Sequence, residues 1–316
     1  MLATINNQTP AEAAILTPEV FTTWISYIDR KPKTIETYSR ALKQFYKYVE
    51  TLPNPTKPTR ADIIAWRQNM EQRGLKATTR QNYMAVVKIF FNWTATVGIY
   101  PNITKDVEGA KISKNHKRDY LTAAQLKNVL EEIDTDSLAG KRDYAIVALM
   151  CTSALRTVEV QRANVEDLRT LGGDTVLYIQ GKGQDDNAEY VKVSRQVEKA
   201  IRIYLKARQE KEGTAPEAGA PLFVSTSNNN TGARMTTRAI SGRVKSKLQA
   251  AGYDSDRLTA HSLRHSAVTL ARLAGQDLEE VKQFARHANI ATTLIYDHAI
   301  DKSKNQCAAT VSDAIF

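Results

Sequence analysis

Histidine and arginine stand three residues apart in the segment His261-Ser-Leu-Arg264-His265. On a helix, His261 and Arg264 lie one turn apart on the same face, while Leu263 falls on the opposite, core side. A face that carries an imidazole and a guanidinium suits an anion such as a phosphate. A zinc site is the alternative, because His261 and His265 are spaced i and i+4. The metalloprotease pattern, however, has Glu directly after the first His, where this chain has Ser262.

Two further cations stand where a side chain can approach a ligand. Arg156 follows the apolar stretch 141–154, and because burial of an unpaired guanidinium is costly, this arginine is expected to meet an anion. A purely structural ion pair with Glu159, three residues later, is the alternative. Lys182 stands between two glycines at the tip of a predicted hairpin, where glycine lets the backbone turn tightly. A solvent-exposed lysine is the alternative there, and the phosphate-loop pattern GxxxxGK[ST] is absent.

The C-terminal region concentrates histidines around a tyrosine. Four of the five histidines of the chain fall between positions 261 and 298, and Arg286-His287 precedes Tyr296, which follows His287 by nine residues. A tyrosine on an amphipathic helix usually belongs to a core, and each of these signals is weak alone. Together they predict one anion-binding site with a phenolic oxygen beside it.

Charge and composition limit the class of protein. The 316 residues include 44 Lys and Arg against 34 Asp and Glu, a formal net charge of +10, which favours a polyanionic partner but also fits a merely basic protein. No apolar run reaches the ~18 residues of a membrane span, and residues 1–10 lack the cationic-then-apolar order of a signal peptide. With Cys151 and Cys307 as the two cysteines, a cytoplasmic location is expected.

Residues 1–110 show helical periodicity throughout and predict an all-α domain. Helix starts are expected at Thr34, at Thr59 with Asp62, and near Thr78, and prolines between 52 and 58 end the second helix. The cation-rich stretch 111–120 predicts a linker. The polar helix faces carry basic residues with few acidic partners: Lys33, Arg40, Lys43, Lys47, Arg60, Arg67, Arg73, Lys76, Arg80 and Lys88.

Residues 121–300 predict a second domain that is mainly helical, with a small antiparallel sheet. Thr122 caps its first helix, and the apolar stretch 141–154 predicts a buried one. Thr175–Gln180 and Ala188–Val193 alternate like the strands of a hairpin. The remaining helices are expected at Val197–Glu210, Thr237–Ala251, His261–Ala274, Leu278–His287 and Thr292–Ile300.

These segments together resemble the tyrosine recombinase family, which includes phage and transposon integrases and Xer-like chromosome dimer-resolving recombinases. The family signature has Arg, Lys on a β-hairpin, His-x-x-Arg, His or Trp, and Tyr, in that order. The segments Thr34–Arg40 and Thr78–Trp93 are similar to the family's helical core-binding domain, so the resemblance covers residues 17 to 300. The six matching residues are Arg156, Lys182, His261, Arg264, His287 and Tyr296.

Two positions depart from the family pattern. Ala154 stands where the family usually has Gly before Leu-Arg, and Ala285-Arg286 stands where it commonly has Leu-Gly before His. Arg286 is expected either to contact a phosphate or to alter the packing that orients His287. His265 matches a position that is often His in the family, and we expect it to support packing.

The resemblance implies a mainly α, two-domain fold. Residues 1–110 would form the core-binding domain, 111–120 the linker and 121–300 the mixed α/β catalytic domain. The implied partners are double-stranded DNA recombination sites, two duplexes bound by a homotetramer, with no membrane. The tail 301–316 ends in Ile-Phe, and it would pack on a neighbouring protomer, although a docked end on its own chain is the simpler alternative.

The chemistry implied by the resemblance is DNA cleavage and religation through a 3′-phosphotyrosyl link to Tyr296. The two arginines of the signature would hold the non-bridging oxygens, and the two histidines would add hydrogen bonds and help to move the tyrosine proton. Lys182 would protonate the 5′-oxygen as it leaves, so that a 5′-hydroxyl is released. Because the covalent link conserves the bond energy, no cofactor is expected, neither ATP nor a divalent metal.

Several functions remain open at this stage. The two departures favour the integrase or transposase of a mobile element over a host Xer-like recombinase. Since the chain begins almost directly with the core-binding domain, an additional arm-binding module is not expected. A non-catalytic DNA-binding protein would share the charge but has no need of the six-residue set, a metal-dependent nuclease would need a divalent ion, and a type IB topoisomerase would not need paired sites.

Overall fold

The computed structural model describes the backbone of residues 15–112, 119–181, 189–304 and 307–315, and their side chains except those of 298–304, 307–309 and 314. The chain divides into two compact units, Met1–Asn115 and His116–Phe316. None of the described helices combines the length and the apolar composition that a membrane crossing requires.

The described residues of the first unit form helices joined by turns and loops, with no strand among them, which confirms the predicted all-α fold. Its helices are α1 (Pro18–Tyr27), α2 (Pro32–Val49), α3 (Arg60–Gln72) and α4 (Ala77–Thr96). The prediction that Thr34 caps α2 is wrong, because Pro32, whose fixed φ suits the first helical turn, already begins the helix. Thr59 does cap α3: its hydroxyl accepts from the Asp62 N–H, and its own N–H donates to the Asp62 carboxylate at 2.7 Å.

Aromatic side chains fill the core of this unit. The Phe45 ring meets Trp66 edge-to-face with the centroids 5.0 Å apart, and Phe21 stacks on Phe90 at 4.8 Å. Phe45, Trp66 and Phe90 are fully buried. Because such rings bury large apolar areas and prefer defined mutual geometries, this core fixes how the four helices pack.

Some of the basic residues on the polar faces have acidic partners. Lys33 and Arg40 both pair with Glu36, at 2.5 and 2.9 Å, and Arg80 pairs with Glu71 at 2.6 Å. Acidic partners are therefore less sparse than the sequence suggested, and the positive charge available to a ligand comes from the remaining lysines and arginines.

The second unit is a mainly helical domain with a small sheet, as predicted. Its α6 is buried along most of its length and packs against α8 and α10. Even the charged Asp143 of α6 is buried, and its carboxylate accepts hydrogen bonds from Arg142 and Arg243. The helices of this unit are α5 (Ala123–Glu131), α6 (Leu138–Thr152), α7 (Thr157–Arg162), α8 (Arg195–Glu212), α9 (Thr237–Ala250), α10 (Ala260–Leu273), α11 (Leu278–Ala285), α12 (Ala291–Lys304) and α13 (Cys307–Ile315).

Three antiparallel strands form the sheet in the order β1 (Leu168–Leu171), β2 (Asp174–Ile179) and β3 (Glu189–Lys192). The β2–β3 hairpin confirms the sequence prediction, and the register pairs Ile179 with Glu189. Strand β1 was not predicted, although Gly172-Gly173, with φ of 58° and 87°, forms the two-residue turn typical of a tight hairpin. Lys182 falls in the segment 182–188, outside the described residues.

The C-terminal segment is more helical than the sequence indicated. Helix α12 continues past the predicted end at 300 as far as Lys304, and α13 follows at Cys307–Ile315. Neither Gly nor Pro interrupts residues 291–304, so no helix-breaking residue ends α12 at position 300.

Candidate active site

The turn between α6 and α7 places the first arginine of the predicted site. Helix α6 ends at Thr152, Ala154 takes the left-handed conformation with φ of 48°, and Arg156 precedes the first turn of α7. Glu159, which is fully buried, accepts from the backbone N–H of Arg156 at 2.7 Å and from its Nη1 at 2.8 Å. The pair considered as a structural alternative is therefore present, and it also orients the Arg156 guanidinium, whose side chain stays 29% exposed.

Arg264, on α10, is buried at the centre of the site. It donates from Nη1 to the carbonyl oxygen of Ala154 and from Nη2 to that of Ala285, and thereby joins the α6–α7 turn to the end of α11. Burial, reinforced by the charges of Arg156 and Arg286, lowers the pKa of Arg264 to about 10. The guanidinium consequently still carries its charge at neutral pH.

Helix α10 is buried on more sides than the expected helix with one buried and one exposed face. Residues Ser262 to Thr269 are buried on all sides of the helix, whereas His261, on the first turn, is exposed. Ala274, which follows the last residue of the helix, is exposed as well. The tertiary fold wraps α10 more completely than an amphipathic pattern indicates, because α6, α9, α11 and α12 all pack against it.

Arg286 turns its side chain into the protein. It ends α11 in the left-handed conformation with φ of 53°, and its side chain is 8% exposed. Its Nη2 lies 3.0 Å from Oε2 of Glu159 and 2.9 Å from the carbonyl oxygen of Ala154, and its Nη1 donates to the carbonyl oxygen of Phe284 at 2.9 Å. Arg286 thus contacts the same carboxylate that orients Arg156.

His287 is held next to the tyrosine. Its Nδ1 shares a hydrogen bond with the hydroxyl of Thr293, 3.0 Å away, and Thr293 is fully buried. Burial first, and then the nearby charges of Arg264, Arg156 and Arg286, lower the pKa of His287 to about 4. The imidazole is therefore neutral at physiological pH.

Tyr296, on α12, packs between two histidines. Its ring centroid lies 6.1 Å from that of His287 and 4.7 Å from that of His265, and the side chain is 5% exposed. On its other side, His265 stacks on Tyr120 with centroids 6.0 Å apart. His265 therefore contacts the ring of the candidate nucleophile, which agrees with the packing role expected from the sequence.

The second unit thus brings together Arg156, Arg264, His287 and Tyr296, with His261 near enough to contribute to the lowered pKa of His287. Lys182, the remaining residue of the predicted set, falls outside the described residues. With Arg286 included, three guanidiniums lie near the buried carboxylate of Glu159, which pairs with Arg156 and Arg286, so positive charge is in excess at the site. Such a cluster suits a phosphate anion, with a neutral imidazole and a phenol beside it.

The sequence did not identify two residues that orient the site, Thr293 and Glu159, and it left a zinc site open as an alternative. Thr293 carries no recognisable signal, since its role depends on the approach of α11 to α12. Glu159 entered only as an alternative partner, although its position three residues after Arg156 was the available clue. The zinc alternative has no support, since no three metal-ligating side chains cluster within the described residues, and His261 is exposed while His265 is buried.

Comparison with known proteins assigns the chain to a family. Residues 119–303 match the phage integrase family. The chain belongs to this family of tyrosine recombinases, and it is an enzyme of DNA recombination. In addition, residues 23–97 match the N-terminal SAM-like domain of phage integrases, within the first helical unit. The predicted family and the predicted fold class are both confirmed.

Individual relatives agree with this assignment. A tyrosine recombinase of Synechocystis sp. is 30% identical over 304 residues, which cover 90% of this chain and 91% of the relative. The solved structure of the XerH site-specific recombinase bound to its palindromic difH substrate superposes with a TM-score of 0.72 at 23% identity, covering 89% of this chain and 80% of that one. The integrase of the Tn1549 transposon, solved with transposon right end DNA, gives 0.69 at 18% identity, covering 88% and 93%. Both superpositions show that the recombinase shares its fold with these proteins.

Proposed function

We propose that this recombinase is the integrase or transposase of a mobile element, and that it cleaves and rejoins double-stranded DNA at specific sites through a 3′-phosphotyrosyl link to Tyr296. The observation that carries the proposal is the packing of a buried tyrosine beside a neutral histidine, in the same cluster as Arg156 and Arg264. A phosphodiester under attack gains negative charge on its non-bridging oxygens, which guanidiniums stabilise.

The two arginines differ in what they offer to a phosphate. Arg156 is partly exposed and already oriented by Glu159, so its outer N–H groups can reach a ligand. Arg264 donates two hydrogen bonds, to the carbonyl oxygens of Ala154 and Ala285. Because a guanidinium has five N–H donors, the others can bind an oxygen of the scissile phosphate. Arg264 then serves both as a clamp and as a structural tie.

Proton transfer needs groups near the tyrosine and near the leaving oxygen. A phenol with an ordinary pKa of about 10 is a poor nucleophile at pH 7, so Tyr296 needs hydrogen-bonding help. His287, which is neutral and oriented by Thr293, supplies this hydrogen-bonding help together with His261. Lys182 protonates the 5′-oxygen as its bond to phosphorus breaks, which leaves a free 5′-hydroxyl, and religation to a partner strand reverses the step.

DNA binding and assembly complete the proposal. Residues 1–110 act as the core-binding domain, 111–120 as the linker and 121–300 as the catalytic domain, in the cytoplasm. A homotetramer brings four active sites to two duplexes. The tail 301–316 packs on a neighbouring protomer, which the exposed apolar side chains Val311 and Ile315 of α13, at 56% and 68%, support.

A nicked suicide substrate tests the chemistry, because loss of the fragment 3′ to the cut traps the covalent adduct. We expect the native chain to form a protein–DNA adduct, also in EDTA, and Tyr296→Phe to bind DNA with unchanged salt dependence but to form none. Tyr253→Phe, which alters a partly buried tyrosine whose hydroxyl accepts from Asn128 and from no residue of the predicted set, is the matched control and should form the adduct. An adduct with Tyr296→Phe would refute the assignment of the nucleophile.

A host Xer-like role is the second candidate, and the similarity to the XerH recombinase is the observation that favours it. A mobile-element enzyme should recombine the two ends of the DNA segment that carries its gene. Sequencing the flanks of the gene, followed by recombination in vitro between those ends or between copies of a chromosomal dimer-resolution site, separates the two roles.

A further inference from the structure

Arg286 occupies a backbone conformation that its side chain must compensate. A φ of 53° is the left-handed region, which disfavours a residue with a Cβ by about 1–2 kcal/mol and suits glycine. Such residues persist where the surroundings fix them. Here the side chain is buried and makes three contacts, with the carboxylate of Glu159 and with the carbonyl oxygens of Ala154 and Phe284.

The contact with Glu159 alters the charge balance around Arg156. Oε1 of Glu159 faces Nη1 of Arg156 at 2.8 Å, while Oε2 faces Nη2 of Arg286 at 3.0 Å. Without Arg286, Arg156 would be the one cation in direct ion-pair contact with this carboxylate among the described residues, since Arg264 donates to carbonyl oxygens instead. Its negative charge would then cancel the field of Arg156 at the position where a phosphate binds, in an interior where such interactions are poorly screened.

The backbone of Arg286 is tied to Arg156 as well. Nη2 of Arg156 donates to the carbonyl oxygen of Arg286 at 3.2 Å, and the next residue is His287. The position of the α11 end therefore influences both the guanidinium of Arg156 and the imidazole of His287. A side chain that anchors this end to Glu159 and Ala154 constrains the two groups together.

We propose that Arg286 is a positioning residue that neutralises Glu159, so that the charge of Arg156 stays available to the scissile phosphate. The inference rests on the proposed function, since it assigns to Arg286 a part in the same phosphate site. Arg286 itself faces the carboxylate and two carbonyl oxygens and acts on the phosphate through Arg156.

The test compares cleavage of a charged and an uncharged substrate by the same protein preparation. Arg286→Gly suits the backbone conformation and removes the charge, and Arg286→Lys keeps a charge with fewer donors. Each is assayed in single-turnover adduct formation on a nicked suicide duplex with either an ordinary phosphodiester or a methylphosphonate at the scissile position. The ratio of the two rates is independent of the fraction of protein that is folded.

For Arg286→Gly we expect the phosphodiester to be cleaved at least about tenfold more slowly than by the native chain, and the methylphosphonate to be affected much less. Arg286→Lys should recover part of the rate, and DNA affinity should change less than about twofold, because the cluster is buried. Equal losses on the two substrates, or an undiminished rate on the phosphodiester, would overturn the inference.

Neutralisation of Glu159 provides the second measurement, because its effect on the cleavage rate should differ between two backgrounds. In the Arg286→Gly background, Glu159→Gln should raise the phosphodiester cleavage rate, because it removes the uncompensated carboxylate. In the native background the same change should not raise it. A further decrease in the double variant would show that Arg286 serves packing alone and would overturn the inference. Absence of any adduct with the native chain would refute the proposed function together with this one, whereas a normal native rate and a normal Arg286→Gly rate refute this one alone.

Discussion

The hydroxyl of Thr293 is the described partner of the Nδ1 atom of His287, and replacement by valine tests what that contact does. Thr293→Val keeps the branched shape and removes only the hydrogen bond of 3.0 Å between two buried groups. Loss of a buried hydrogen bond that leaves its partner unsatisfied costs about 1–2 kcal/mol. If this energy holds the imidazole ring in its productive orientation, the cleavage rate should fall by a factor of about 5–30.

Thr293→Ser is the matched control, because it keeps the hydroxyl and deletes a buried methyl group. It should lose about 1 kcal/mol of stability and retain the native cleavage rate. Urea unfolding measures the stability of both variants, and single-turnover adduct formation on the suicide substrate measures cleavage. Both variants are therefore destabilised, but only the valine variant is slow. Equal cleavage rates for the two variants would refute the reasoning that Thr293 positions His287.

Three other predictions follow from the structure. The pKa of His287 is about 4 in the folded chain and ordinarily 6.5, so the unfolded chain takes up a proton first as the pH falls. The free energy of unfolding should therefore decline between pH 6.5 and 4 by about 3 kcal/mol relative to the His287→Asn variant. A pH-independent difference in urea unfolding between the two proteins would contradict this. Asp143→Ala should cost about 3–5 kcal/mol in the same assay, since it leaves the buried Arg142 without its carboxylate, and a loss below 1 kcal/mol would count against it. Changing Lys47 and Arg73 together to Gln should reduce the slope of log DNA affinity against log salt by about 2, one per lost phosphate contact, and an unchanged slope would exclude them from the DNA-binding surface.

The fold followed from the sequence where local signals were strong. The capping boxes at Thr59 and Thr122 fixed two helix starts, and the apolar stretch 141–154 indicated a buried helix, as observed in α6. Strand β1 escaped prediction because its side chains are mostly exposed and show no alternation, although its Gly-Gly turn was visible. The helical C-terminal segment was not predicted because residues 301–306 are all polar and show no apolar periodicity that would indicate a helix.

The sequence selected candidate residues for the site but not their arrangement. Residue types and their order singled out Arg156, Arg264, His287 and Tyr296 as candidates, because phosphate chemistry requires cations, a proton carrier and a nucleophile, and the fold brings these four side chains together. The alternatives for Arg286 could not be separated, since the direction of a side chain at a helix end depends on what packs against it. Only the folded chain shows that this side chain points to Glu159.

The sequence by itself therefore determined the family, the mainly helical two-unit organisation and the candidate residues, since these depend on composition, periodicity and order along the chain. The tertiary structure alone decided the electrostatics of the site. Arg264 joins the carbonyl oxygens of Ala154 and Ala285, and burial among guanidiniums keeps His287 neutral. The physical reason is that desolvation and charge–charge interactions depend on distances between segments that lie from 21 to 130 residues apart in sequence.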